Sequence, residues 1–278
     1  MLGPTMETMT WEEIDQAVAE KYVPVWVIGS TEQHGPHLPV ATDTILPLEL
    51  VKGAARELRI LIPPPLTFGF KSKALSGGGQ GFVGTTSLDG ETLIRVVRDV
   101  VAELARHGFR QMVVLNWHME NINFIWEGID QARRTRISND VTIMLIDRPL
   151  AAFRNDELEW LFEDDFPGWA MEHAAIMETS LMLATRPDLV RTDRIVDDGA
   201  AEHPWYDLLP EPQKHVPSSG VLSRATPASR EKGVRLQRMV TEKLVEAIRK
   251  EFGTLDQASS TAGRRGSKVP SLWKDHPA

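Results

Sequence analysis

The chain has 278 residues, with 31 lysines and arginines against 39 aspartates and glutamates, and its formal net charge is −8. This acidic balance, without any segment dense in basic residues, argues against nucleic acid or an anionic membrane as the main partner. Cysteine is absent, which excludes disulfides and thiolate chemistry, so any metal must be held by histidine and carboxylate side chains.

The N-terminus lacks the basic start and the apolar core of a signal peptide, and no apolar run approaches the length of a membrane span. We therefore expect a cytoplasmic protein with no membrane partner. The length fits one large α/β domain or two ordinary ones. Because the sequence shows no internal repeat and no domain boundary, we expect a single domain over residues 1–253.

Helices and strands are predicted to alternate from the start of the chain. A helix is expected at 10–21, with Thr10 capping an acidic first turn. The β-branched run 23–29 reads as a strand, and apolar residues at helical spacing follow from Asp43. The apolar run 60–66 contains prolines that confine it to a strand end.

The stretch 69–90 is too rich in glycine for either element, and long loops of this kind are usually functional. An amphipathic helix is predicted at 89–108, where Asp89 can cap it and Gly108 can stop it. A strand, a helix and a second strand are predicted next, at 109–116, 120–136 and 140–147.

The pattern is weaker in the second half of the chain. It predicts a helix, a loop and a long amphipathic helix, at 172–185, 202–220 and 229–253. The last stretch, 254–278, has no periodicity. We expect it to be a mobile tail or to dock on a neighbouring subunit through Leu272 and Trp273.

Strands that alternate with helices imply parallel pairing, with helices on both faces of the sheet. The predicted fold class is therefore α/β, a three-layer sandwich with a mostly parallel central sheet. In such sheets, sites form beyond the carboxyl ends of the strands. Two polar clusters follow predicted strands, "GSTEQHGPHLPVATD" at 29–43 and "NWHMEN" at 116–121.

These clusters contain side chains that are suited to binding metal ions. Glu32 and His34 alternate around one residue, His118 and Glu120 repeat that spacing, and Asp43 stands where a loop enters a helix. Either pair alone is usually just solvated polar sequence, and Asp43 could simply cap its helix. Together the two imidazoles and three carboxylates suit a pair of Zn²⁺ or Mn²⁺ ions with one bridging carboxylate.

Several long stretches carry a family resemblance. They are "GSTEQHGPHLPVATDT", "FKSKALSGGGQGFVGTTSLDGETL", "LNWHMEN", "EHAAIMETSLMLA" and "SREKG". In register from about residue 10 to about residue 253, the sequence resembles the creatininase family of amidohydrolases. The resemblance implies a layered α/β fold, two divalent metal ions per subunit and a homohexamer.

The resemblance also assigns roles to residues. Glu32, Asp43 and His118 resemble the ligands of one metal, and His34, Asp43 and Glu120 those of the other, with Asp43 as the bridge. His173 matches a proton-transferring histidine, and Glu120 is the second expected catalytic group. The residues expected to bind substrate are Ser76, Gly77, Gly78, Trp117, Met119, Arg148, Trp169 and Glu172.

The substrate side departs from the family pattern. Trp117 replaces a small residue, Met119 stands where creatinine-opening members have tyrosine, and Arg148 lies near an expected aromatic position. We therefore expect metal-dependent hydrolysis of a non-peptide C–N bond in a small amide or cyclic amide, with creatinine itself as an alternative. A phosphate- or nucleotide-binding protein that uses "SGGGQG" is the alternative of another class, although the loop lacks the Lys-Ser/Thr ending of a P-loop.

Overall fold

The computed structural model describes residues 5–147, 152–163, 165–199, 202 and 204–253. Arg148 and the 254–278 tail, with Leu272 and Trp273, lie outside the described residues. The described part is built on four parallel strands in the order β2-β1-β3-β4. In chain order they are β1 Val23–Ile28, β2 Ile60–Leu61, β3 Gln111–Asn116 and β4 Thr142–Asp147.

Eight α-helices accompany the strands within the described residues. They are α1 Trp11–Ala19, α2 Thr42–Ala54, α3 Ala74–Gly77, α4 Gly90–Arg106, α5 Ile122–Thr135, α6 Asn155–Phe162, α7 Ile176–Thr185 and α8 Arg230–Phe252. The predicted cap of α1 is confirmed, because the Thr10 side chain accepts from the backbone N–H of Glu13 and the Glu13 carboxylate accepts from that of Thr10. None of the described helices has the length and apolar character needed to cross a membrane.

The alternation of side chains along β1 divides the core into two halves. Val25 and Val27 pack with residues of α2 and α8 on one face of the sheet. Trp26 and Ile28 pack with residues of α4 and α5 on the other face. Both faces are therefore buried under helices, as parallel sheets require. The prediction of an α/β three-layer sandwich is confirmed.

Three local predictions differ from the structure. Asp89 occupies the N-cap position of α4 without a capping hydrogen bond, because its carboxylate pairs with Lys71. The helix predicted from 172 begins only at Ile176, since Ala174 takes a positive φ of 54° that interrupts helical geometry. The predicted strand at 60–66 ends at Leu61, because three consecutive prolines follow shortly after it and cannot donate ladder hydrogen bonds.

Helix α7 runs directly against α8, and Gly233 makes this close approach possible. A Cβ built on Gly233 would lie 1.8 Å from the carbonyl oxygen of Ser180 in α7. No side chain can occupy that space unless the helices move apart. The position of α7 therefore depends on its contact with α8.

We expect Gly233→Ala to lower the free energy of unfolding by about 1–3 kcal/mol, the usual cost of overpacking a core contact. The measurement is the midpoint of denaturant unfolding for the full chain. Gly81→Ala is the matched control, because a Cβ at Gly81 would meet no atom within 4 Å. Equal midpoints for the two variants would contradict the proposed close packing.

Candidate metal centre and active site

The predicted ligands come together at one edge of the sheet. Strands β1 and β3 are hydrogen-bonded neighbours, so the segments after Ile28 and Asn116 leave the sheet side by side. The first segment carries Glu32 and His34 and the second carries His118. Asp43 lies in the first turn of α2, whose N-cap is Ala41, so the capping alternative for Asp43 is wrong. These four polar side chains are buried.

One group of possible ligands is formed by Glu32, Asp43 and His118. Their ligand atoms all lie within 4.8 Å of one another. His118 Nδ1 lies 3.0 Å from Glu32 Oε1 and 3.3 Å from Asp43 Oδ2. This group has the composition expected for the first metal.

A second group is formed by His34, Asp43 and Glu178, again with ligand atoms within 4.8 Å of one another. His34 Nε2 lies 3.3 Å from Asp43 Oδ1 and 3.5 Å from Glu178 Oε2. Asp43 therefore belongs to both groups, as a bridging carboxylate would. The structure differs from the expected set for the second metal, in which Glu120 and not Glu178 was the third member.

The imidazole rings of His34 and His118 are oriented by similar contacts. His34 Nδ1 lies 3.2 Å from the main-chain oxygen of Glu32, and His118 Nε2 lies 3.0 Å from that of Phe70. A carbonyl oxygen only accepts, so each of these nitrogens carries a hydrogen. The other nitrogen of each ring then faces carboxylates. Metal-binding histidines are oriented in this way, with the second ring nitrogen donating to a carbonyl.

Unpaired buried atoms are a further observation that supports a cation at these residues. Among the described residues, Glu32 Oε2, His34 Nε2 and Asp43 Oδ2 are buried without a hydrogen-bond partner. Buried polar atoms are normally satisfied, and an unsatisfied group in a native structure needs an explanation. These three atoms are lone-pair donors of the kind that Zn²⁺ and Mn²⁺ accept. The third possible group, Glu32, His34 and His173, adjoins the same space.

Burial and charge perturb this cluster strongly. Burial raises the pKa of Glu32 to about 7, although the His118 charge opposes it. Burial acts to lower the pKa of His34 and of His118, but the facing carboxylates outweigh it and raise both values well above the ordinary one. Burial acts to raise the pKa of Asp43 and Glu178, but it is outweighed by His34 and His118 at Asp43 and mainly by His34 at Glu178, so both carboxyl pKa values are lowered. Without metal, protons on the imidazoles therefore stabilise the carboxylates.

Glu120 lies beside this cluster and belongs to none of the ligand groups found among the described residues. Its Oε2 is 3.4 Å from His118 Nε2. Its Oε1 accepts from the Ser76 hydroxyl and, at 3.3 Å, from the backbone N–H of Lys73. The structure thus joins Glu120 to the glycine-rich segment.

His173 lies in the loop before α7, not on a helix. Its Nδ1 is 3.7 Å from Glu32 Oε1, and its ring is 4.4 Å from that of His34, centroid to centroid. Burial, with a further effect of the His34 charge, lowers the pKa of His173 to about 4. The imidazole is therefore neutral at pH 7 in the metal-free protein.

A cleft opens beside these groups. Besides the carboxylates and histidines, its lining includes five of the residues expected to bind substrate: Ser76, Trp117, Met119, Trp169 and Glu172. Met177, at the start of α7, also lines it. Gly77 and Gly78 are not part of the described lining, and Arg148 lies outside the described residues.

The glycine-rich segment packs closely against other parts of the protein. A Cβ on Gly77 would lie 2.2 Å from Ser72 Oγ and 2.9 Å from Glu32 Oε2. The backbone N–H of Ala74 donates to the Glu211 carboxylate at 3.0 Å. Donors that already serve carboxylates are unsuited to phosphate, so the geometry counts against the phosphate-binding alternative.

Glu178 is the main site residue that sequence reasoning missed. Residues 176–182 of α7 are all buried, and Glu178 among them is only 5% exposed. A helix that is apolar on every side is a buried helix. The single glutamate inside "AAIMETSLML" was therefore a signal, because an ionisable residue there needs a partner.

Comparisons with known proteins agree with the geometry. The family model described as "Creatinine amidohydrolase" (Creatininase) matches residues 7–248. A creatinine amidohydrolase from Pseudomonas putida is 42% identical over 248 residues, which are 88% of this chain and 95% of the relative. A solved manganese form of creatininase has a TM-score of 0.85 at 40% identity, covering 90% of this chain and 99% of that one. A mutant creatininase of Zn-Zn type has a TM-score of 0.86 at 40% identity, covering 90% and 98%.

We expect Glu178→Gln to reduce bound metal from about two ions per chain to about one, because it removes a charged member of one ligand group only. Elemental analysis of protein dialysed against Zn²⁺ is the measurement. Glu49→Gln is the control, since Glu49 pairs with Lys52 near the surface of α2. Undiminished binding in Glu178→Gln would exclude it as a ligand.

Metal loading should release protons, and the apparent affinity should rise with pH. Burial opposes protonation of His34 and His118, but the facing carboxylates outweigh it and raise the pKa of both rings, which favours their protonated form without metal. A cation needs the lone pairs that these protons occupy. Raising the pH towards those pKa values removes the competing protons. Calorimetric titration in buffers of different ionisation enthalpy measures the release, and a binding heat independent of the buffer would contradict it.

Proposed function

The chain belongs to the creatininase family, and on that premise we propose that it hydrolyses the amide bond of creatinine or of a closely similar small cyclic amide. The reaction breaks the C–N bond of the ring and joins the oxygen of water to the carbonyl carbon. One proton of that water reaches the leaving nitrogen. We propose Zn²⁺ or Mn²⁺ as the metal, used as a pair.

The observation that supports this proposal is the arrangement around Asp43. Its two oxygens face different imidazoles, His34 at 3.3 Å and His118 at 3.3 Å. Each imidazole has a further carboxylate beside it, Glu178 or Glu32. Two ligand groups that share one carboxylate are what neighbouring divalent ions require.

We assign one cation to Glu32, Asp43 and His118 and the other to His34, Asp43 and Glu178. When bound, a cation pair supplies a water of lowered pKa and a Lewis acid for the substrate carbonyl. The ligands all lie below the cleft surface, so the reacting carbonyl would enter an environment of low dielectric constant where electrostatic stabilisation is strong.

Two side chains are placed to move the protons. Glu120 is fixed by Ser76 and Lys73 on the cleft wall, where it can take a proton from the attacking water. His173 Nδ1 lies 3.7 Å from Glu32 Oε1. Its neutral imidazole would first receive the proton that the water releases, by way of Glu120, and would then deliver it to the leaving nitrogen. Because an amine anion is a poor leaving group, that delivery is needed for the ring to open.

The aromatic walls support a small and rather flat substrate. Trp169 is held edge-on by Phe153, Phe162 and Phe166, with ring centroids 5.9, 6.1 and 4.9 Å away. Trp117 also lines the cleft and is only 2% exposed.

We further propose that the chain assembles as a homohexamer, the state implied by the family resemblance. Exposed apolar side chains near the glycine-rich segment support assembly, since Trp205 is 93% and Leu209 88% exposed. Lys73 contacts Asp207 in the same loop, which connects this apolar segment to the candidate site. Exposed apolar residues in such number are typical of a protein interface.

Chelated full-length protein should be inactive and should regain hydrolysis of creatinine when Zn²⁺ or Mn²⁺ is supplied. Hydantoins, formamides and short carboxylated amides complete the substrate panel, and chromatography of the products measures turnover. Glu120→Gln should reduce kcat by about 10²-fold or more, the contribution of a general acid–base group.

Glu127→Gln is the matched control for that variant. Glu127 is on the outer side of α5, where it accepts from Gln131 and lies 3.6 Å from Arg134. Full turnover by a demetallated sample would refute the metal-dependent mechanism. ATP binding that survived chelation, with no amide cleaved, would favour the phosphate-binding alternative instead.

A further inference from the structure

We propose that Gln33 is the positioning residue for His173: it fixes which ring nitrogen carries the hydrogen and so directs the other nitrogen toward the cleft. The proposal rests on the proposed function, in which His173 delivers the proton. Gln33 stands between the candidate ligands Glu32 and His34 and is itself buried. Gln33 belongs to neither ligand group, and it contacts His173 instead.

Two atoms of Gln33 approach the same nitrogen of His173. The main-chain oxygen of Gln33 lies 2.8 Å from His173 Nε2, and the side-chain Nε2 of Gln33 lies 2.9 Å from it. The carbonyl oxygen requires a hydrogen on the imidazole nitrogen, whereas an amide hydrogen aimed at that nitrogen would require a lone pair. Only one of the two hydrogen bonds can form.

The other hydrogen bonds of the Gln33 amide decide which of these two bonds to His173 forms. Its NH₂ group has two hydrogens, and the carbonyl oxygens of Gly220 and Gly77 lie 2.8 Å and 3.0 Å from its nitrogen. Its Oε1 accepts from the backbone N–H of Gly35 at 2.8 Å, which fixes the orientation of the amide. Both hydrogens are therefore committed elsewhere, and none remains for His173.

His173 Nε2 must then carry the hydrogen and donate it to the main-chain oxygen of Gln33. In a neutral imidazole the other nitrogen is a lone pair. That atom, Nδ1, lies 3.7 Å from Glu32 Oε1, on the side of the candidate metal ligands. The nitrogen that exchanges a proton with the substrate is thereby chosen by the hydrogen bonds on the opposite side of the ring.

Two glycines leave room for the Gln33 amide. A Cβ on Gly220 would lie 1.9 Å from Gln33 Oε1, and one on Gly78 would lie 2.5 Å from Gln33 Nε2. Both residues have positive φ, at 85° and 76°. The backbone N–H of Leu222, just after Gly220, donates to the main-chain oxygen of His173 at 3.2 Å. Gln33 thus connects the glycine-rich segment and the loop that supports His173.

The kinetic test uses Gln33→Met, which keeps the length of the side chain and removes its hydrogen bonds. We expect kcat on the best substrate of the zinc-loaded enzyme to fall by about 10- to 100-fold, the effect of a misplaced catalytic group. KM and zinc content should change little, because neither ligand group is altered. Gln80→Met is the matched control, on the exposed part of the glycine-rich segment.

The spectroscopic test uses zinc-loaded full-length protein labelled with ¹⁵N-histidine, with His173 assigned by the loss of its signals in His173→Asn. We expect the wild-type ring to be protonated at Nε2 and not at Nδ1. The Nε2 proton should exchange with solvent faster in Gln33→Met than in Gln80→Met. This test needs no substrate, so it still decides the role of Gln33 if no amide is hydrolysed and the proposed function fails.

Three results would overturn the proposal. They are an Nδ1–H tautomer in the wild-type protein, an unchanged kcat in Gln33→Met, and a loss of zinc as large as the loss of kcat. If Gln33→Met does not fold, Gly220→Ala displaces the same amide and should lower kcat in the same way. Gly253→Ala is its control, because Gly253 also has positive φ and a Cβ there would meet no atom within 4 Å.

Discussion

The charge balance around Asp43 is the constraint on which the rest of this site depends. The carboxylates of Glu32, Asp43, Glu120 and Glu178 surround two imidazoles in a buried space. Buried ions of one sign are costly unless they are compensated. Two divalent cations would balance four carboxylates with both imidazoles neutral. In their absence, the facing carboxylates outweigh burial and raise the pKa of His34 and His118, so protons on these imidazoles provide part of the same compensation. Burial raises the pKa of Glu32, which acts in the same direction.

The fold meets this constraint by concentrating the polar groups at one end of an apolar sheet. Strands β1 and β3 contribute buried apolar side chains to both faces, and the candidate ligands lie in the segments beyond Ile28 and Asn116. Glu178 reaches the same place from α7, a helix that packs against α8. The stability of the α7–α8 contact and the geometry of the second ligand group are therefore linked through Gly233.

Much of this arrangement could be predicted from the sequence, because it follows from local patterns. The alternation of strands and helices indicates the parallel sheet, and the polar clusters at 29–43 and 116–121 indicate where its carboxyl edge lies. The third member of the second ligand group could not be read from spacing, since Glu178 comes from a helix distant in sequence. The resemblance pointed instead to Glu120, which the structure places against Ser76. Only tertiary packing shows that Glu178, and not Glu120, lies within reach of both His34 and Asp43.

The glycine-rich segment is a second feature whose contacts could not be predicted from the sequence alone. Its composition suggests close approach to a ligand, and the sequence alone is compatible with substrate or phosphate. The structure gives its glycines a different partner, because Gly77 and Gly78 leave room for the side chains of Glu32 and Gln33. The glycines do approach other groups closely, but those groups are the candidate metal ligand Glu32 and the residue Gln33 that contacts His173. A Cβ added at Gly77 or Gly78 would therefore displace a side chain of the candidate site, even though neither glycine belongs to a candidate ligand group.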